Sequence, residues 1–361
     1  MLSPAESIAE IERFAGREDS QRMEKPVLSW NPGTYTYLFT ATGPAVTFVA
    51  NRIRGSSLAR RVGSTAMRFG ALYPPGLGFA PAISRHTVSV SPNCDFDVAV
   101  AGYRLKLLDF TAESVLTLPI DRSNSQRTNL LRTEITLRDR LPASIPSPVV
   151  FETDREYPYI REELVEGREL SDPVGDWQTT VRALRSLRAL YLQQPTTFLP
   201  METVLSDVDA AIEQRSVSDH PTISAGASYL RESPLPSRLR WCRIHGDFHA
   251  GNILVDGDDF HILDWEDTSV GYPTADFLHL FEMQYRENGD PTPLLEILSG
   301  EGLGSQIANA YATELGETVY DDDQFYPGLI VLALLGRILR QDDPTSGVPV
   351  TLLDRLLDSV P

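Results

Sequence analysis

The stretch RIHGDFHAGNILVDGDDFHILDW, residues 243–265, constrains this chain more than any other. Ile253, Leu254 and Val255 form a short apolar run, Asp256-Gly257 is a strong hairpin turn, and Phe260 to Leu263 resume an extended apolar pattern. Two antiparallel strands are expected. A hairpin brings its ends together, so Asn252 at the start of one strand and Asp264 at the end of the other become neighbours across the pair. Asp247 lies five positions before Asn252, on a loop whose Gly246, Ala250 and Gly251 are small enough to let a ligand approach the backbone. Magnesium-dependent phosphoryl transfer to a hydroxyl needs such a set. One carboxylate meets the proton of the attacking hydroxyl, while other oxygen ligands hold the cation that neutralises charge between nucleotide phosphates. Asp247, Asn252 and Asp264 can fill those roles.

His245-Gly246-Asp247, then Asn252, then Asp264 in a short apolar strand resemble the catalytic and metal-binding core of the aminoglycoside phosphotransferase and choline kinase group, within the protein-kinase-like superfamily. The resemblance implies an α+β, two-lobed fold: a small antiparallel β-sheet lobe with one main helix, and a larger, mainly helical lobe containing the catalytic hairpin. It implies ATP or another nucleoside triphosphate and Mg2+ as cofactors, Asp247 as catalytic base, Asn252 and Asp264 as metal ligands, and His245 as the brace of the loop. Trp265-Glu266 after the metal Asp is common in the small-molecule branch, which favours a small-molecule hydroxyl acceptor such as a sugar, an amino alcohol or an aminoglycoside. Asp276 falls where the family places an Asp that hydrogen-bonds the catalytic loop. A metallophosphoesterase would need an earlier Asp-x-His motif and later paired histidines. Of the six histidines, those outside the stretch are His86, His220 and His279, and none is paired at metal-ligand spacing. His249 and His261 read as a loop residue and an outward-facing strand residue.

The small lobe departs from the family pattern. If the strand over 114–119 is the one that normally carries the phosphate-binding lysine, Thr117 stands in its place, and Glu134 on the following helix lacks the expected ion pair. Glu134 then either faces inward or pairs with Arg138 on a solvated helix face. Gly102 alone stands where several glycines would cover the phosphates. Lys106 lies on the neighbouring strand, and alternation puts Arg104 on the same face, so either could replace the missing cation; the alternative is that both point to solvent. A strand over 157–164 should enter a hinge near Glu162 to Glu166, including Leu164, whose backbone groups could read the adenine edge. With Thr117 and a poor phosphate loop, a nucleotide-binding pseudokinase or scaffold without transfer is the competing reading.

Composition bounds the rest. The chain has 361 residues, enough for two domains, with 42% hydrophobic and 23% charged residues as in an ordinary globular protein. Its formal net charge is -18, and of 32 basic residues only Lys25 and Lys106 are lysine. Such a chain repels nucleic acid unless a local basic patch intervenes, and no nucleic-acid partner is expected. Arg52, Arg54, Arg60, Arg61 and Arg68 read as the solvated face of a helix whose other face holds Leu58, Val62 and Met67, and a helix is expected over 57–72. The acidic, lysine-poor balance resembles that of halophile proteins, though a GC-rich genome would also favour arginine. Cys94 and Cys242 give neither a disulfide framework nor a zinc spacing, and no secretory signal is apparent, so a cytoplasmic location is expected. The longest apolar run, over 326–336, is too short to cross a bilayer.

Three regions are expected along the chain: an accessory region over 1–85, a kinase-like small lobe and hinge over 86–166, and a helical large lobe over 167–361. The first holds an amphipathic helix and an extended aromatic run over 35–39. The second holds strands over 87–90, 96–100, 103–110 and 114–119, and a helix over 127–141. In the third, helices are expected over 177–192, 277–285, 293–298, 305–315, 327–340 and 351–357. Glu266, Asp267, Glu282 and Tyr285 are candidates to line an acceptor pocket.

Overall fold

The computed structural model describes residues 3–18, 23–30, 36–40, 44–45, 49, 83–90, 96–101, 104–119, 125–170, 172–320 and 322–359. The helix expected over 57–72 and Gly102 lie outside the described residues. The chain forms two compact units, one of residues 1–139 and 148–165, the other of residues 140–147 and 166–361.

The first unit is built on an eight-stranded sheet of order β3-β1-β2-β4-β5-β6-β8-β7, antiparallel at every described pairing. Its strands are β1 (Met23–Trp30), β2 (Thr36–Phe39), β3 (Ile83–Val90), β4 (Val98–Ala101), β5 (Arg104–Asp109), β6 (Ser114–Pro119), β7 (Val150–Asp154) and β8 (Tyr159–Glu163). The boundary expected at residue 85 falls inside β3, which pairs with β1 along its whole length. Strands from the N-terminal stretch therefore continue the sheet of the small lobe. The amphipathic helix α1 (Pro4–Glu18) explains why this arrangement holds: its Ile11 and Phe14 are buried with Leu38, Leu105, Leu107 and Leu116 in one core. Each such buried side chain contributes about 1.5–3 kcal/mol. On the other sheet face, Leu108 packs with Phe39 and Val98.

Alternation along β5 sends Leu105 and Leu107 to the α1 side and leaves Arg104 and Lys106 on the opposite one. The register places Lys106 opposite Thr117, and Thr117 opposite Ile160, so the three share a face. Helix α2 (Ser125–Arg138) contributes Leu131 and Ile135 to a small core with that same Ile160.

The second unit is mainly helical, with α3 (Trp177–Ser186), α4 (Arg188–Tyr191), α5 (Met201–Gln214), α6 (Pro221–Glu232), α7 (Thr274–Asn288), α8 (Thr292–Ser299), α9 (Gly302–Val319), α10 (Gly328–Ile338) and α11 (Val348–Leu357). The single helix expected over 177–192 breaks at Leu187, whose amide donates to Leu184 three residues back in a tightened turn. The apolar run over 326–336 becomes α10, in which every residue from Gly328 to Leu335 is buried, as a helix apolar on all sides must be. No described helix is long and apolar enough to cross a membrane. Two small sheets complete the unit: β10 (Thr197–Pro200), β11 (Arg238–Ile244) and β14 (Ser269–Gly271) in one, β9 (Arg168–Glu169), β12 (Ile253–Asp256) and β13 (Asp259–Ile262) in the other.

Candidate active site

The expected hairpin forms: β12 and β13 pair antiparallel from Ile253–Ile262 to Asp256–Asp259 across the Asp256-Gly257 turn. Beyond the last pair the Leu263 amide donates to the Asn252 carbonyl at 2.8 Å, which draws the ends of the hairpin together and sets Asp264 beside Asn252 along the chain path. Asp264 itself takes a left-handed backbone, φ 60° and ψ 64°, and the chain turns there into a short 3-10 segment. That conformation is uncommon for a residue with a Cβ, and such outliers concentrate at functional sites.

The loop between β11 and β12 is held from behind by one buried carboxylate. Asp276, on α7, accepts the His245 amide through Oδ2 and the Gly246 amide through Oδ1, both at 2.9 Å, and the Tyr191 hydroxyl at 3.2 Å. Burial pushes the Asp276 carboxyl up to about 6, against the pull of these three donors. Gly246 has φ 86°, and a Cβ there would lie 2.1 Å from the Asp267 carbonyl oxygen, so only glycine fits between the loop and the segment after Asp264. His245 is fully buried and ties two segments together: its Nε2 donates to the Leu263 carbonyl at 3.0 Å, and its Nδ1 accepts the Asp247 amide at 3.3 Å. Burial pushes the His245 imidazole down to about 4, which keeps it neutral and suits one nitrogen donating while the other accepts.

Asp247 sits where these supports converge. Its carboxylate accepts His279 Nε2 on Oδ1 at 2.9 Å and Asn252 Nδ2 on Oδ2 at 3.0 Å, and His249 Nε2 stands 3.6 Å from Oδ2. Burial opposes its charge, but the contacts with His249 and His279 outweigh burial and hold the carboxyl well below the usual range. The side chain keeps 31% exposure, so it is reachable from solvent. Asn252 spends both its visible donor contacts on Asp247, on the carbonyl at 2.9 Å as well as on Oδ2, which turns its side-chain oxygen away from Asp247. Asn252 Oδ1 and the Asp264 carboxylate are oxygen donors that fit a hard cation such as Mg2+, which takes few protein ligands and completes its shell with water and phosphate oxygens. Among the described residues no group of three or more His, Cys, Asp and Glu side chains could hold a metal.

His279 was not expected from sequence as part of the site. It lies on α7, one turn after Asp276, and Glu282 follows one turn later; all three are buried, at 0, 2 and 3% exposure. A polar stripe at three-residue spacing on an otherwise apolar helix face was the signal available in the sequence. Arg337, at the end of α10, donates Nη1 to His279 Nδ1 at 2.5 Å and Nε to Glu282 at 3.0 Å. An imidazole that accepts at Nδ1 donates from Nε2, so the network points one N–H at the Asp247 carboxylate. Burial lowers the His279 imidazole, yet Asp247 and Glu282 together shift it above its ordinary value. Of the residues suggested for an acceptor pocket, Glu282 and Tyr285 are instead buried, Glu282 because it neutralises Arg337.

In the first unit, the nearly buried Glu134 pairs with Arg104, and Arg138 pairs with Glu162 at 2.7 Å, so the alternative Glu134–Arg138 pair does not form. Thr117 is buried opposite Lys106. Leu164, expected to present its backbone, donates its amide to the Glu113 carbonyl at 2.8 Å, and Glu163 donates to Val149 at 2.8 Å. Those amides are already engaged.

The model of the phosphotransferase enzyme family matches residues 113–313, more than half of the chain. None of the curated proteins matches. Among solved structures, the chain is similar to a macrolide 2'-phosphotransferase from Brachybacterium faecium, with 14% identity, a TM-score of 0.44, and coverage of 65% of this chain and 78% of that one. It is also similar to a choline kinase from Cryptosporidium parvum, with 11% identity, a TM-score of 0.42, and coverage of 73% and 86%. A choline/ethanolamine kinase family protein from Mesorhizobium loti gives 16% identity, a TM-score of 0.39, and coverage of 72% and 84%. With the His245-Gly246-Asp247 loop, Asn252 and Asp264 all inside the matched span, the chain belongs to the phosphotransferase enzyme family.

Proposed function

We propose that the protein transfers the terminal phosphoryl group of a nucleoside triphosphate, ATP in the first instance, to a hydroxyl of a small molecule. The observation that carries this reading is the Asp247–Asn252 contact, in which one side chain positions the base and keeps its own oxygen for a cation. Asn252 and Asp264 would hold Mg2+, which would neutralise charge on the nucleotide phosphates. Asp247 orients the attacking hydroxyl and takes its proton. In a loose transition state the proton moves late, once the hydroxyl oxygen has begun to bond to phosphorus. Orientation is then its larger contribution, as in a loose phosphoryl-transfer transition state. His245 and Asp276 fix the loop, and His279 fixes the carboxylate.

In the first unit, Arg104 takes the ion-pair role toward Glu134 that a lysine at the Thr117 position would otherwise have, and Lys106, in register with Thr117, supplies charge for the nucleotide phosphates. The adenine edge is read beyond the engaged amides of Glu163 and Leu164. Thr117 supports the competing reading of nucleotide binding without transfer; the Arg104–Glu134 pair weighs against it. A cytoplasmic location, where nucleoside triphosphates are abundant, suits the reading, and the buried Cys242 is free.

The test is magnesium-dependent phosphorylation of a panel of sugars, amino alcohols and aminoglycosides. The wild-type chain should transfer phosphate, and Asp247→Asn should lose about 100- to 10,000-fold in kcat. An absence of any phosphorylated product, with nucleotide turnover unchanged in Asp247→Asn, overturns the enzyme reading in favour of a binding protein.

A further inference from the structure

Beside the catalytic loop lies a cavity of about 370 Å³ whose polar wall is formed by Gly246, Asp267, Ser269, Arg337, Arg340 and Gln341. It abuts the proposed base in two ways. Gly246 precedes Asp247 in the chain, and Arg337 reaches Asp247 through His279, by contacts of 2.5 Å and 2.9 Å.

The charges on this wall are unusual for so acidic a protein. Arg337 and Arg340 stand at three-residue spacing, so they lie on the same side as α10 ends. Arg337 is paired with the buried Glu282. Arg340 is exposed and makes no ion pair or side-chain hydrogen bond among the described residues. The wall thus carries two guanidinium groups, of which Arg337 is balanced by Glu282 behind it, beside the carboxylate of Asp267, with Ser269 and Gln341 as neutral hydrogen-bonding groups. Bringing two like charges together costs free energy that a bound anion would offset. The chain as a whole carries -18, so its long-range field repels anions and only a local arrangement can favour one. Guanidinium groups match the planar oxygen pairs of carboxylates and phosphates.

We propose that this cavity holds the anionic group, a carboxylate or a phosphate ester, of a hydroxyl-bearing acceptor, with Arg340 and Arg337 as its cationic contacts. The assignment of the bound molecule as acceptor rests on the phosphotransferase reading above. It specifies a substrate class, in which the anion is anchored at the end of α10 and the hydroxyl is presented to Asp247.

Three probes of one skeleton test it: glycerol, glycerate and glycerol 3-phosphate, titrated calorimetrically into the full chain. At least one anion should bind about tenfold or more tighter than glycerol, and the pair of anions separates carboxylate from phosphate recognition. Arg340→Ala and Arg340→Gln should abolish the preference, Arg340→Lys should keep part of it, and Asp247→Asn should retain it. Equal binding of all three probes, or an anion preference unaltered in both Arg340→Ala and Arg340→Gln, overturns the proposal. Circular dichroism of the Arg340 variants checks that they are folded. Phosphoryl transfer is measured separately on the same three compounds. Arg340-dependent anion binding without transfer to any acceptor keeps the site and removes the phosphotransferase reading; transfer without anion preference does the reverse.

Discussion

Replacement of Gly246 by alanine isolates the fit of the catalytic loop against the segment that follows Asp264. Gly246 and Gly257 both have positive φ, 86° and 57°, so alanine at either position costs the strain of a left-handed residue, about 1–2 kcal/mol. Their surroundings differ. A Cβ at Gly257 meets nothing within 4 Å, whereas one at Gly246 would lie 2.1 Å from the Asp267 carbonyl oxygen and 2.9 Å from its carbon. Relief of that overlap requires backbone to move, since no flexible side chain is there to yield, and such overpacking costs about 1–3 kcal/mol more. The movement also loosens the 2.9 Å hydrogen bond from the Gly246 amide to Asp276, a bond to a charged acceptor that contributes about 1.5–3 kcal/mol. Gly246→Ala should therefore lose about 3 kcal/mol more stability than Gly257→Ala, read from urea unfolding followed by tryptophan fluorescence, with Trp265 buried beside the site. Its kcat should fall with it, because Asp247 is the next residue, while Gly257→Ala remains active. Equal destabilisation of the two variants, within about 0.5 kcal/mol, would refute the claim that the loop and the Asp267 segment are locked by contact.

Three further outcomes are expected. Burial gives His245 and Asp276 opposite linkages to pH: His245, lowered from 6.5 to about 4, withdraws stability as pH falls through that window, while Asp276, raised from 3.8 to about 6, withdraws it as pH rises through its own. Each shift is worth about 3 kcal/mol, so the pair nearly cancels in the parent; Asp276→Asn should expose the His245 slope, and a variant with flat stability from pH 4 to 6.5 contradicts it. Glu134→Gln removes the Glu134 charge from its pair with Arg104 and should cost about 3 kcal/mol together with weaker nucleotide binding; thermal unfolding and nucleotide titration that both match the parent exclude that role. Cys242 is fully buried, and burial pushes its thiol up to about 12. In a Cys94→Ser background it should resist iodoacetamide at pH 8 until the chain unfolds, and rapid labelling of the native protein would show that the β11 packing is wrong.

What could be read from sequence was what depends on near neighbours. The Asp256-Gly257 turn and the two apolar runs suffice to pair β12 with β13, and that local event alone delivers Asn252 and Asp264 to the same end. Alternation likewise placed Arg104 and Lys106 on one face of β5. The choice of partner for Glu134 stayed open because a helix face offers Arg138 at four residues and the sheet offers Arg104 at thirty, and only packing decides. Contacts spanning longer loops were not visible. β1 pairs with β3 across the 52 residues of 31–82, a closure whose entropic cost carries no local signature, so the N-terminal strands read as a separate region. His279 meets Asp247 over 32 residues and Arg337 meets His279 over 58. A histidine in a helix looks the same whether its partner is solvent or a carboxylate brought in by another element.

The polar stripe on α7 explains how one rigid element can set both the position and the charge of the proposed base. Asp276 fixes the backbone that carries Asp247, His279 fixes one oxygen of its carboxylate, and Glu282 fixes the arginine behind His279. Helical spacing alone keeps these three in line, so the loop needs no long-range sequence order of its own to be preorganised. The arrangement also makes Asp247 sensitive to events at the end of α10. Arg337 is both the far end of this network and part of the cavity wall, so an anion that draws its guanidinium outward would weaken its hold on His279 Nδ1 and alter the donor that Asp247 feels. A bound acceptor and the readiness of the base would then be coupled through one arginine, and coupling of that kind must appear as a dependence of anion affinity on His279. His279→Asn keeps a donor toward Asp247 but cannot relay Arg337 through a ring, so it should change the anion affinity measured calorimetrically as well as kcat. An anion affinity identical to that of the parent would confine the role of His279 to the base itself.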